Sequence, residues 1–154
     1  MFKNVQQLRN LETIESELKN STSGIISFYT REEKIVQLAV PFIYLDKNIF
    51  IIPRSEDELF DKIHMEVKSS FTVIKNIKPK KRAELDFTPT YNFLSITITG
   101  FLKRVEEQKI MDDLVKNYSK KYVKEYNDND ELTGLSKVFF IDTEEIQAFE
   151  EAGG

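Results

Sequence analysis

The chain has 154 residues, 40% of them apolar and 31% charged, with a formal net charge of −4. That balance fits one soluble, packed domain rather than a disordered chain, and it gives no electrostatic reason to expect nucleic acid or an anionic membrane as partner. The absence of cysteine excludes disulfides, a thiolate nucleophile and Cys-ligated zinc or iron–sulfur, and a single histidine excludes a multi-histidine metal site.

Residues 3–19 carry Val5, Leu8, Leu11, Ile14 and Leu18 at helical spacing, which predicts an amphipathic helix. This stretch has no apolar centre of signal-peptide type, and no apolar run approaches membrane-spanning length, so the expected location is the cytoplasm. After the polar break at Asn20–Gly24, Ile25 to Thr30 reads as a strand and Arg31–Lys34 as a hairpin connection. Ile35 to Leu45 reads as a second strand disturbed by Pro41, which cannot donate to a ladder and belongs at an edge or bulge. Asp46-Lys47-Asn48 makes a tight turn into Ile49–Ile52, an unbroken apolar run typical of a buried strand.

Ser55 and Glu58 then have capping-box spacing and predict a short helix whose buried stripe is Leu59, Phe60, Ile63 and Val67. Ser70–Ile74 is a fourth strand, followed by Lys75–Arg82, five basic residues in eight around Pro79, read as a loop. Phe87–Asn92 leads into a long fifth strand, where Ile96, Ile98 and Leu102 share one face and Ser95, Thr97 and Thr99 the other. Gly100 interrupts that alternation and marks a bulge or a close backbone approach. From Glu106 the period changes, and Ile110, Leu114, Tyr118 and Tyr122 form one helical stripe. A polar loop over 127–134 precedes a sixth strand, Lys137–Thr143; Ile146 and Phe149 dock a tail whose last residues, 150–154, are expected to fray. Twelve Phe and six Tyr point to an aromatic core.

The segment Ile96-Thr97-Ile98-Thr99-Gly100-Phe101-Leu102-Lys103-Arg104-Val105-Glu106, entering a helix, resembles the second half of the FMN-binding split-barrel family, which includes pyridoxamine 5′-phosphate oxidase. The order of elements resembles that family across nearly the whole chain. The resemblance implies an α+β fold, a six-stranded Greek-key β-barrel with flanking helices. It also implies a homodimer with small-molecule sites for FMN across the interface, and oxidoreductase chemistry carried by the flavin. The alternative within the family is a non-enzymatic dimer that has lost flavin or holds another ligand such as haem.

Two segments are candidates for the flavin phosphate. The resemblance points to the end of the third strand, where Arg54 and Ser55 stand at a predicted helix N-terminus that favours anions. Glu56, Asp57 and Glu58 oppose an anion there; Leu59 falls near the family's usual lysine, and Lys62 comes a turn later. The basic run containing Lys80, Lys81 and Arg82 is the second candidate, with a solvated loop as its plain alternative. His64 reads as a surface or half-buried side chain, and Tyr118, Tyr122 and Tyr126 as packing residues. Thr97 and Thr99 either line a polar groove or face water. No nucleotide-binding glycine fingerprint, catalytic triad or metal-ligand cluster is present, so catalytic residues are not assigned.

Overall fold

The structure, a computed structural model, describes residues 3–53, 60, 63, 66–77, 91–123 and 137–153. Among these, the elements run β1 (Lys3–Gln7), α1 (Leu11–Asn20), β2 (Gly24–Tyr29), β3 (Ile35–Val40), β4 (Phe42–Leu45) and β5 (Asn48–Ile51), then β6 (Val67–Asn76), β7 (Tyr91–Arg104), α2 (Gln108–Tyr122) and β8 (Phe139–Gly153). The strands form one antiparallel sheet in the order β3-β2-β6-β7-β8-β5-β4, with β1 added to β8. The ends of that path, β3 and β4, are separated in sequence by Pro41 alone. The sheet therefore curls until one bent strand joins its two edges, a half-barrel closed at a proline corner.

Alternation places Ile26 and Phe28 on β2, Phe71 and Val73 on β6, and Leu94, Ile96, Ile98 and Leu102 on β7 inside the curl. Aromatic rings fill it. Phe60 lies between Phe28 and Phe139, with ring centroids 5.5 and 5.4 Å apart, and Phe42 meets Phe71 edge-on at 5.0 Å. Ile14 and Leu18 of α1 enter the same cluster. A second, smaller cluster sits under α2, where Leu114 packs with Ile43, Phe50, Ile52, Val105 and Val138.

The sheet has eight strands where the sequence predicts six, for two reasons. Pro41 divides the second predicted strand, and its halves pair with different neighbours: Val40 opposite Gly24, Phe42 opposite Ile51. The predicted helix over 3–19 is also two elements. Asn10 accepts hydrogen bonds from the backbone N–H groups of Glu12 and Thr13 at 3.0 and 3.4 Å, so α1 starts only at Leu11. Lys3–Gln7 instead pairs with β8. The apolar spacing ran through that cap, but Val5 and Leu11 are exposed and take no part in a buried stripe.

The last strand is longer than Lys137–Thr143, and the expected frayed tail is strand up to Gly153, held between β1 and β7. Its length was hidden by a register shift opposite Thr99/Gly100 that breaks the alternation along β8. Gly100 is the close approach its position suggested: a Cβ there would run into the backbone carbonyl oxygen of Asp142, and Ser69 Oγ donates to the Gly100 carbonyl at 3.2 Å. Gly24 is crowded by the Phe71 ring. Gly100→Ala is expected to cost about 3 kcal/mol, because backbone must give way, and Gly24→Ala about 1–2 kcal/mol, because a ring can tilt. Urea unfolding of the two variants checks both the magnitudes and their order.

Candidate functional site

Arg54, Ser55, Lys62, Lys80, Lys81 and Arg82 all lie outside the described residues, as do Glu56–Leu59, His64 and Tyr126. Most of the short helix predicted from Ser55 lies outside them too; of its stripe, Phe60 and Ile63 are in the core, while Val67 is not helical but opens β6, paired with Leu102. In sequence, Arg54 follows the end of β5; Lys75 and Asn76, expected in a loop, are the last residues of β6, and Lys80, Lys81 and Arg82 stand between β6 and β7.

What the structure does describe is the outer face of the sheet. With the apolar residues of β2, β6 and β7 turned inward, their neighbours form rows across the strands. One row runs Gln37, Ser27, Ser70, Thr99, Glu145; the next runs Ala39, Ile25, Thr72, Thr97, Gln147. Glu145 is the one charged side chain in these two rows, and it accepts from Gln147 Nε2 at 3.0 Å. The hydroxyls of Thr72 and Thr97 lie 3.4 Å apart, and Ser70, Thr72, Thr97 and Thr99 are half-buried. Around them stand Tyr29, Ile35 and Ile74, exposed to 61%, 69% and 55%. More charge stands at the rim, where Lys103 pairs with Asp142 at 2.7 Å and Glu66 at 3.4 Å.

A face of this kind offers mostly neutral donors and acceptors beside apolar side chains, with the Glu145 carboxylate on its β8 side. It can hold a flat, polar-edged ring or another protein surface. Thr97 and Thr99 thus lie on a shared hydroxyl-rich face that includes β6, which one strand's sequence could not reveal. Among the described residues no group of His, Asp or Glu is arranged to hold a metal, and no helix is long and apolar enough to cross a membrane.

A second polar cluster sits at the proline corner and was not legible in the sequence. Tyr122 Oη accepts from the Phe42 N–H at 3.1 Å and shares its one hydrogen between the carbonyls of Thr22 (2.6 Å) and Phe42 (2.9 Å). Lys121 Nζ donates to the same Phe42 carbonyl at 3.0 Å and lies 4.1 Å from the centroid of the Phe42 ring. Burial pushes the Lys121 ammonium down to about 8, because neither a carbonyl nor a ring brings the full negative charge that would offset lost solvation. Burial raises Tyr122, against the lowering effect of its bond to Phe42. Tyr118 lies against Tyr122 with ring centroids 4.8 Å apart, so these tyrosines pack and pin, as their spacing suggested.

No protein-family model matches the chain, and no curated protein is similar to it in sequence. Solved structures do match. A protein of Bacteroides thetaiotaomicron assigned to 5-nitroimidazole antibiotic resistance shares 13% identity over 100% of this chain and 93% of its own, with a TM-score of 0.69. A structure from Corynebacterium glutamicum assigned as a pyridoxamine 5′-phosphate oxidase shares 16% identity, covering 96% of this chain and 98% of that one, with a TM-score of 0.64. The FAD and haem binding protein of Mycobacterium smegmatis shares 10% over 94% of this chain and 71% of its own, with a TM-score of 0.62. This chain has the split-barrel fold of the pyridoxamine 5′-phosphate oxidase-like proteins.

Two expectations follow from the corner cluster. Tyr122→Phe leaves the Phe42 N–H without its partner and should cost about 1–3 kcal/mol in urea unfolding. Lys121 has a folded pKa below its unfolded value of 10.5, so between pH 8 and 10 the unfolded chain binds more protons. Its contribution to stability therefore rises with pH across that window, and Lys121→Met should flatten the pH dependence measured between pH 7.5 and 9.5.

Proposed function

We propose that this chain is a flavin-binding protein that holds FMN as a homodimer and acts as a cytoplasmic oxidoreductase. The observation that carries the reading is the split-barrel fold, spanning the whole chain, with a hydroxyl-rich outer face. Flavin-binding and pyridoxamine 5′-phosphate oxidase-like proteins share the fold. The face suits an isoalloxazine ring, which is flat, neutral and edged with donors and acceptors. Thr72, Thr97, Ser70 and Thr99 would meet that ring, and a second copy laid on the exposed Tyr29, Ile35 and Ile74 would exclude water from it. Bound flavin supplies the hydride or electron transfer; the chain's own residues bind, orient and desolvate.

A second reading is a split barrel that has lost flavin or binds haem. Glu56, Asp57 and Glu58 beside the first candidate phosphate segment favour it, and a neighbour binds both FAD and haem. Absorption separates the two: flavin gives bands in the blue, haem a Soret band. Saturating FMN should be quenched in fluorescence and should raise the melting temperature of the protein. No quenching and no thermal shift would sink the flavin reading, and a monomer by light scattering at micromolar concentration would remove its two-copy site.

The phosphate segment is decided by comparing FMN with riboflavin, which lacks the phosphate. If Arg54 and Ser55 hold it, Arg54→Ala should weaken FMN about tenfold or more and leave riboflavin nearly unchanged. If the basic run holds it, Lys80→Ala, Lys81→Ala or Arg82→Ala should do so instead. That figure corresponds to a charge-assisted bond of roughly 1.5–3 kcal/mol. Equal losses of both flavins would assign the phosphate to neither segment.

A further inference from the structure

We propose that Lys121 is a site of covalent acylation, taking its acyl group from small acyl phosphates. The proposal does not depend on flavin binding. It starts from the partners of the lysines. Lys75 pairs with Glu17 at 2.6 Å and Lys103 with Asp142 at 2.7 Å, and the bond to Asp142 raises the Lys103 pKa. Lys121 lies within ion-pair distance of no carboxylate among the described residues. Its seat is the Phe42 carbonyl at 3.0 Å, the Phe42 ring at 4.1 Å and the Tyr122 ring at 5.4 Å, with the side chain partly open to solvent.

Such a seat accepts the neutral amine as well as the cation. A neutral –NH2 still donates one N–H to the Phe42 carbonyl and keeps its lone pair free. The amide product keeps an N–H for the same carbonyl, so the modified side chain fits the same bond. Lys120, exposed in the same last turn of α2, supplies a positive charge for the phosphate of the donor. Among the described residues, the titratable groups on this cluster are Tyr118 and Tyr122 of α2. Phe42 on β4 and Thr22 in the loop after α1 contribute only carbonyls and a ring.

In the reaction, the Nζ lone pair attacks the acyl carbon and forms the N–C bond. The C–O bond to phosphorus breaks, phosphate leaves with the bonding pair, and the extra proton on nitrogen passes to water. No oxidant or reductant is needed. Burial lowers the Lys121 pKa to about 8, so roughly a tenth of it is free amine at pH 7. A less basic nucleophile is intrinsically slower, which returns part of that gain; a net advantage of about tenfold over ordinary lysines remains.

Limiting acetyl phosphate on the native protein, with site-resolved mass spectrometry, tests this. Lys121 should be acetylated about tenfold faster at pH 7.5 than the exposed Lys34, Lys109 and Lys116. Its rate should titrate with a midpoint near pH 8, and the preference should vanish in urea. A Lys121 rate at or below theirs, a midpoint near pH 10, or a preference that survives unfolding would each overturn the assignment.

Discussion

A proline without an amide hydrogen sits where the sheet must turn back on itself. β3 and β4 would be one strand but for Pro41, and because of it they join opposite edges of the sheet. Ladder hydrogen bonds cannot span that corner, so other groups must satisfy the backbone beside it. Tyr122 and Lys121 do this for Phe42 from 80 and 79 residues away. The curl that creates an inner core and an outer face therefore depends on the end of α2 being anchored at the corner. The aromatic interior follows from it, since rings from β2, β4, β6 and β8 converge only once the sheet is bent.

Much of the architecture was legible because alternation and helical spacing are local. The strands β2 and β6, the two faces of β7, the Gly100 irregularity, the stripe of α2 and much of the order of elements follow from neighbours in sequence. What was missed has a common cause. The break at Asn10 lay inside an unbroken apolar spacing, so the cap lost to the period. The length of β8 was masked by the shift opposite Gly100, beyond which alternation restarts out of phase, and by glutamates that read as a solvated tail. Pro41 was correctly seen as an interruption, but nothing local says that its two sides pair with different strands.

The sites divide the same way. A threonine face on β7 is visible in one strand, but a hydroxyl-rich surface requires the pairing of strands, which sets Ser27, Ser70 and Thr99 in line. The Lys121 seat requires a lysine and a backbone carbonyl that meet only in the fold, so no spacing rule could have found it. The two sites also differ in chemistry. The outer face is rich in hydroxyls and suits recognition, whereas the corner holds a charge in poor solvent and suits reactivity.

The pairing of β1 with β8 has a kinetic meaning. Lys3 lies opposite Gly153, so this ladder closes a loop of roughly 150 residues, at an entropic cost of about 4 kcal/mol if formed from the open chain. Zipping β1 is cheap only after β7 and β8 are in place, which makes it a late event in folding and an early one in unfolding. Its release does more than fray an end. It uncovers one edge of β8 over Phe149–Gly153, a row of unpaired amides and carbonyls flanked by the apolar ring of Phe149. The N-terminal strand is thus a cover for a templating edge, and crowded, partly unfolded chains would meet each other there.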